Sequence, residues 1–415
     1  MFYSSGQYLV CILFLVFSIR SSFAQIPVQI DTTKEVKMVR PKDIFDVLAK
    51  TFRKKLGADS IEIEYVNPDS TKVTALSLLP YVNYSLVTNW AFGGKVGTYF
   101  YLNKKVPTDM STTDFGVIYT FRHQLLVKAK SSIWTKANKY NLIGDWRFMK
   151  YPSLTYGLGP GTTKSDQALI NYDYLRIYQN IFDEVSGPFY VGIGYKLDYH
   201  YNVFQFPIDF ISDFEKYKEG NQKTTIASGP TLNFLYDSRG NCMNPLGGRF
   251  YGYVNYRYNS PIFGSDNSWQ SLIVDTRKYF NLPLKSTNVL AFWSYNWFTF
   301  GGDPAYLDLP STGWDDSDNQ GRGYIQGRLR SNNLISFETE YRFSITRNKV
   351  FGGVVFGNVQ SVSQMKTFIF DKAYPAVGLG LRLKINKLTN TNLSVDYAVG
   401  INGSRSIFFN VGEIF

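Results

Sequence analysis

Between residues 334 and 343 the side chains alternate without a break. Phe337, Thr339, Tyr341 and Phe343 share one face, and Glu338, Glu340 and Arg342 share the other. A period of two is that of a strand. One face is aromatic and β-branched, while the opposite face carries three formal charges. A soluble sandwich buries its inner face away from water and would not line it this way. A strand with lipid on one side and a wet, charged lumen on the other accommodates both faces.

The same period recurs through most of the chain. Sixteen alternating segments can be placed between residues 76 and 415, and an even number of strands of about ten residues is the pattern of a transmembrane barrel. In the seventh, 188–202, Phe189, Val191, Ile193, Tyr195, Leu197, Tyr199 and Tyr201 oppose Gly192, Gly194, Lys196, Asp198 and His200. In 374–386, Val377, Leu379, Leu381, Leu383 and Ile385 oppose Arg382 and Lys384; in 391–400, Leu393, Val395, Tyr397 and Val399 oppose Ser394, Asp396 and Ala398. A charge on the lipid face costs about 2–4 kcal/mol at mid-membrane, so the charged faces are expected to point inward. The segments 334–344, 348–359 and 405–415 are read as strands twelve, thirteen and sixteen. Long connections follow strands 5, 7, 11 and 13 and are assigned to the extracellular side; turns after even strands are mostly short, 104–112 excepted. The expected fold is all-β, a sixteen-stranded antiparallel transmembrane β-barrel over residues 76–415 with a short N-terminal helix.

Composition agrees. The chain has 33 Phe, 31 Tyr and 34 Gly, which suits aromatic girdles and closely packed strands. Its net charge of +11 comes from basic residues scattered along alternating segments. Such scatter fits contact with anionic lipid headgroups and argues against a nucleic-acid surface.

Residues 1–24 read as a secretory signal. Val10 to Phe17 is apolar, and Ser22-Phe23-Ala24 is a small-x-small cleavage site. No Lys or Arg precedes the apolar run, and Arg20 follows it. Cys11 lies inside the signal, which leaves Cys242 without an intrachain partner. Residues 25–75 form a short periplasmic segment with one amphipathic helix at 41–56. Pro41 opens that helix and Gly57 closes it; Ile44, Val47, Leu48, Phe52 and Leu56 make its stripe, and Lys50, Arg53, Lys54 and Lys55 crowd its last turn. It can pack at the periplasmic mouth, plug the lumen or lie on the inner leaflet.

Residues 321–343 read GRGYIQGRLRSNNLISFETEYRF. Arg322-Gly323-Tyr324, then Gly327, Arg328, Arg330 and Asn333, then the Glu-Tyr-Arg strand, resemble the BamA/TamA superfamily of outer-membrane barrels, the bacterial surface-antigen family. Other places are similar in order and spacing: Leu79-Pro80-Tyr81 at the first strand, Tyr156-Gly157-Leu158-Gly159 in the third extracellular loop, and Tyr236-Asp237-Ser238-Arg239-Gly240-Asn241 with Asn244-Pro245 and Gly247 between strands 8 and 9. Gly240 stands there where the pattern has an acid. The resemblance implies a sixth extracellular loop folded back into the barrel, with Arg322 paired to acids of strands 12 and 13. Glu338 and Glu340 are available. Asn358 occupies the strand 13 position that is typically Asp, which would turn one salt bridge into a neutral hydrogen bond. Arg322 can pin the loop for stability or act in transport.

The resemblance further implies a weak seam between strands 1 and 16. Pro80 has no backbone donor to offer it, unless it merely starts its strand, and Gly412 lowers packing at the other edge. Phe415 after an alternating strand looks like the sorting signal read by the barrel-insertion machinery. Residues 25–75 are too short for the POTRA domains that such barrels usually carry, so a barrel-only member with a separate periplasmic or lipoprotein subunit is expected. The implied location is the outer membrane of a Gram-negative-type envelope.

Chemistry is sparse. Asp316, Asp318 and Gln320 before Gly321 partly match a calcium loop, but Gly327 stands where a bidentate Glu is required; the run reads as a solvated acidic loop with no metal. His123 and His200 lie on different segments, and no nucleophile elbow, zinc pair or phosphate loop is present. No enzyme activity and no cofactor are expected. The expected function is insertion, assembly or translocation of envelope proteins or lipids; the alternative is a passive channel or structural barrel.

Overall fold

The structure is a computed structural model that describes residues 42–44, 46, 47, 75–85, 88–102, 106, 108, 109, 111–217, 222–387 and 390–415. The expected signal peptide and all but the first turn of the expected 41–56 helix lie outside the described residues.

Sixteen long strands follow one another: β1 (Ala75–Ser85), β2 (Asn89–Phe100), β3 (Ser111–Thr120), β4 (Leu125–Trp134), β5 (Tyr140–Lys150), β6 (Ala168–Ser186), β7 (Phe189–Gln205), β8 (Thr224–Asp237), β9 (Phe250–Asn259), β10 (Trp269–Asn281), β11 (Val289–Phe300), β12 (Asn333–Ser344), β13 (Phe351–Val362), β14 (Tyr374–Asn386), β15 (Thr391–Gly400) and β16 (Arg405–Val411). Each pairs antiparallel with the next, as an unbroken meander. A three-residue strand, Ser153–Thr155, pairs with the start of β6. Among the described residues no helix is long and apolar enough to cross a membrane.

The faces divide as the alternation requires. On β14, Val377, Leu379 and Leu381 are exposed while Arg382 and Lys384 are buried; on β12, Phe337 is exposed while Glu338, Glu340 and Arg342 are buried. The apolar residues form the outer wall and the charges line the inside. This inverts a soluble core and leaves strands as the membrane-crossing elements.

Three expected segments, 224–237, 374–386 and 391–400, coincide with β8, β14 and β15. The expected 348–359 lies three residues later as β13, because Ile345 to Val350 make the turn: the Ile345 amide donates to the Phe351 carbonyl and Lys349 takes φ 56°. The turn after β8, residues 238–249, is long, which the short-turn rule does not anticipate. In it Gly240 adopts φ +69°, so a left-handed turn explains glycine where an acid is expected.

The last strand stops early. β16 ends at Val411 instead of running to Phe415. Gly412 takes φ +101°, a conformation no ladder continues, and residues 412–415 turn into the lumen. β1 and β16 lie beside each other, yet no registered ladder joins them among the described residues. Pro80 is mid-strand, opposite Gly94 of β2, and does not start β1 outside the paired region.

At the short-turn end the helix expected at 41–56 begins after Asp43. The Asp43 amide donates to Asp46 Oδ2 and the Asp46 amide to Asp43 Oδ1, both at 3.1 Å, a reciprocal cap. Lys387, between β14 and β15, donates to both Asp46 oxygens at 2.7 and 2.9 Å. This fixes the first helical turn at the mouth.

Candidate functional site

The site is built by residues 301–332, the sixth long-side loop. Its two legs are zipped together: Ser311 bridges Arg330, Thr312 N–H donates to the Leu329 carbonyl at 3.0 Å, and Gly327 N–H donates to the Thr312 carbonyl at 2.9 Å. Between the legs lies the tip, residues 314–326. Most of the loop is buried, with Tyr306, Leu309, Thr312, Arg322 and Leu329 at 1 % exposure or less. It fills the lumen, as the resemblance implies.

Arg322 is fully buried. Its Nε donates to Glu338 Oε1 at 2.9 Å and its Nη1 to Asp396 Oδ2 at 2.6 Å; Nη2 contacts both Glu338 and Glu340. The guanidinium plane lies over the Phe356 ring, 3.5 Å from its centroid. A guanidinium removed from water needs this density of partners, because an unpaired buried charge is strongly destabilising.

The two glutamates come from strand 12 as expected, but strand 13 supplies no charge partner. Asn358 donates from Nδ2 to the Arg322 backbone carbonyl at 2.8 Å and does not bond the guanidinium. The neutral hydrogen bond expected of Asn358 is made, but to the backbone, so strand 13 leaves its place on the guanidinium open. Its place is taken by Asp396 of β15, a residue that the alternation places inward but that spacing along the chain does not connect to Arg322.

The flanking motif residues each have a fixed task. Gly323 takes φ +104°, and a Cβ there would lie 2.6 Å from the Ala376 methyl; its amide donates to Ser406 Oγ of β16 at 2.9 Å. Tyr324 donates to the Pro375 carbonyl at 2.6 Å and accepts from the Ile401 amide at 3.1 Å. At Gly327, φ +78°, a Cβ would lie 2.8 Å from the Leu154 carbonyl oxygen. Arg328 reaches loop 3, donating to Thr162 Oγ1 at 3.0 Å and to its carbonyl at 2.8 Å.

The cluster extends to residues 412–415. Arg382 Nε donates to Glu413 Oε2 and Asn392 Nδ2 to Glu413 Oε1, both at 2.7 Å; Arg382 Nη1 donates to Asp396 Oδ1 at 2.5 Å. Arg342 donates to Glu340 Oε1 at 2.6 Å and to the Phe415 carbonyl at 2.7 Å. Three guanidinium groups thus face four carboxylates in one network. Phe415 does not lie along the last strand; it is 2 % exposed and packs on Trp293, with ring centroids 5.2 Å apart. Gly412 likewise does not sit in the edge ladder. It is the hinge that turns this segment inward, and its amide donates to the Asn392 carbonyl at 2.7 Å. The long turn 238–249 meets the segment there: the Met243 carbonyl accepts from the Glu413 amide at 2.8 Å, and Asn244 donates to the Asn390 carbonyl at 3.0 Å.

The acidic run is solvated only in part: Asp316 is exposed, but the run is also tied to the barrel wall. Asp318 accepts from Lys128 at 2.9 Å and lies 3.5 Å from Arg147, while the Asp316 carbonyl accepts from Lys130 at 2.8 Å and Arg147 at 2.9 Å. The bonded partners of Lys128 and Lys130 on β4 lie 190 and 186 residues away, out of reach of a local reading of the sequence, whereas Arg147 on β5 also bonds Asp145, two residues before it, at 2.8 and 2.7 Å.

No protein-family model matches the sequence, and no curated protein matches it. Among solved structures the chain is similar to BamA from Haemophilus ducreyi lacking POTRA domains 1–3, at TM-score 0.56 and 14% identity over 88% of this chain and 78% of that one. It is also similar to CdiB from Acinetobacter baumannii (TM-score 0.52, 14% identity, 82% of this chain) and CdiB from Escherichia coli (0.54, 10%, 82%). It spans only 60% and 62% of the length of those two. At these identities the likeness is one of fold. Apolar outer wall, charged interior and inserted loop together make this chain a β-barrel with a lipid-facing wall and the fold of BamA and CdiB.

Proposed function

We propose that this barrel inserts, assembles or translocates envelope proteins or lipids through the seam between β1 and β16. A separate periplasmic or lipoprotein subunit delivers the client. The observation that carries the reading is the seam itself. Every other neighbouring pair of long strands has a registered ladder; among the described residues β1 and β16 have none, and Gly412 turns the chain inward where β16 could have continued. Unpaired strand edges are templates for another chain. The seam is tied to the lumen by Gly323 on Ser406 and by Glu413 on Arg382, so a change at the edge reaches the loop.

A scan of cysteine pairs between β1 and β16, made in a Cys242→Ser background, tests this. Oxidation should abolish support of envelope assembly in cells that depend on the barrel, and reduction should restore it. Full function with the seam locked would sink the proposal. A passive channel is the second reading. Loop 6 across the lumen counts against it, and a large steady conductance in planar bilayers would favour it. Affinity purification from gently solubilised outer membranes tests the partner: a stoichiometric periplasmic protein or lipoprotein is expected.

A further inference from the structure

Two cavities at the long-loop rim run into each other, sharing Arg122, Leu154 and Ile325. The inner one, about 210 Å³, is walled by Pro152, Leu154, Leu169 and Ile325 and is mostly apolar. The outer one, about 440 Å³, opens to solvent between Tyr156, Lys164, Gln167, Gly403, Ser404 and Arg405. The walls come from the β3–β4 turn, loop 3 and the start of β6, the tip of loop 6 and the β15–β16 turn with the first residue of β16. The cleft therefore adjoins the seam strand.

Its charge is one-sided. Arg122, Lys164 and Arg405 line it and no carboxylate does. Lys164 is steered into it by donating to the Gly403 carbonyl at 3.0 Å. The nearest acid in the chain, Asp166, is turned back on Thr163, accepting from its amide at 2.6 Å and its hydroxyl at 2.9 Å. Behind the wall lies a further cation, Arg328. It is 4 % exposed, sits 5.3 Å from the Tyr156 ring centroid, and is satisfied by Thr162 and aromatic faces with no carboxylate at ion-pair distance among the described residues. A buried guanidinium without a counter-charge adds an undiminished positive field to the cleft.

We infer that this cleft binds a phosphorylated amphiphile, with a phosphomonoester held by Arg122, Lys164 and Arg405 and an acyl chain in the slot of Leu154, Leu169 and Ile325. The two halves select together. Three cations around an open mouth recognise a dianionic headgroup, and an apolar floor beneath them excludes ligands that are charged throughout. A lipid of the outer leaflet has this chemistry and reaches the rim by lateral diffusion. Ile325 directly follows the Arg322-Gly323-Tyr324 motif, so an occupied slot would brace the tip of loop 6. The inference does not require the seam to open.

The test uses the full-length barrel in phosphatidylcholine nanodiscs with or without bisphosphorylated lipid A, with bound lipid counted by native mass spectrometry. The wild-type barrel should retain one lipid A. Reversal of all three cations (R122E, K164E, R405E) should weaken retention by about a hundredfold, each surface cation contributing roughly fivefold. Ile325→Ser with Leu154→Ser should weaken it while leaving the cations in place. Inorganic phosphate is the second arm. If it protects the cleft from arginine modification as well as lipid A does, and the serine variant retains lipid A unchanged, the site is one for free phosphate and the inference is overturned. Equal retention by the charge-reversed barrel also overturns it. Heat-modifiable migration on gels confirms that each variant is folded.

Discussion

Asp318 and Arg322 stand four residues apart in loop 6, and their side chains are anchored on strands eight positions apart in the meander. Asp318 takes the Lys128 ammonium of β4 at 2.9 Å, and Arg322 bonds Glu338 of β12 at 2.9 Å through Nε. The tip of the loop is therefore a strut across the lumen. One end is buried and multiply bonded. The other is partly exposed, with Lys128 and Asp318 side chains at 25% and 32%, and is the end that can let go.

The weak end should be cheap to break. Lys128→Ala should cost only about 0.5–1 kcal/mol, the range of a partly exposed ion pair. Loop 6 stays docked, so the heat-modified gel shift should move little. Single-channel recordings should nevertheless show more frequent openings than in the wild type, growing with salt as screening weakens Asp318 against Arg147. Silent recordings from both barrels would remove the strut.

The strong end should be expensive. Arg322→Ala leaves Glu338, Glu340 and Asp396 facing one another, at a cost of about 3–5 kcal/mol for breaking a buried charge pair. Arg322→Lys keeps the charge but loses the fork and the stack on Phe356, and should lie between. Unfolding in urea, followed by gel migration, measures both.

Asn358 gives a sharper test. If strand 13 lacked a needed charge, Asn358→Asp would stabilise the barrel. Because Asn358 donates to the Arg322 carbonyl, the substitution should instead lose that bond and set a carboxylate against an oxygen and three nearby acids. A loss of about 1–3 kcal/mol is expected. Asp396→Asn should also destabilise, since it strips the partner shared by Arg322 and Arg382.

Gly412→Val should disturb the inward turn. A β-branched residue at φ +101° costs about 1–3 kcal/mol, enough to loosen residues 413–415 from the network. In an Ile414→Cys, Cys242→Ser barrel, maleimide labelling should be slow while Gly412 is kept. Adding Gly412→Val should speed it at least several times. Equal rates would show that the hinge does not hold the segment.

The N-terminal contact should respond to acid. Partial burial pushes the Asp46 carboxyl up, but its bonds with Lys387 and the Asp43 amide outweigh this and hold it below the usual aspartate range. A group depressed in the folded state stabilises above its unfolded value, about 3.9, and that contribution is lost as pH falls through the lowered one. Amide exchange at Val47 should be slower in wild type than in Asp46→Asn at neutral pH. The two should converge well below pH 4.

How much of this was legible in the chain depended on range. Alternation found all sixteen long strands, and the inward faces of β7, β12, β14 and β15 on which it was read, because period two is a local property that each strand states by itself, and lipid forbids the opposite assignment. The Arg-Gly-Tyr loop and its glutamates were legible because Glu338 and Glu340 follow Arg322 closely. Asp396 was not: it is 74 residues away, and only the packing of loop 6 between β12 and β15 brings three carboxylates to one guanidinium. Lys128 looked like a lumenal cation without a partner until the loop crossed to meet it. Phe415 continued the alternation on paper, yet a left-handed Gly412 and an aromatic pocket around Trp293 drew it inside. Sequence determined which face of each strand meets lipid; the tertiary structure decided which charges meet each other, since a buried charge accepts any partner the fold brings within reach, however distant in the chain.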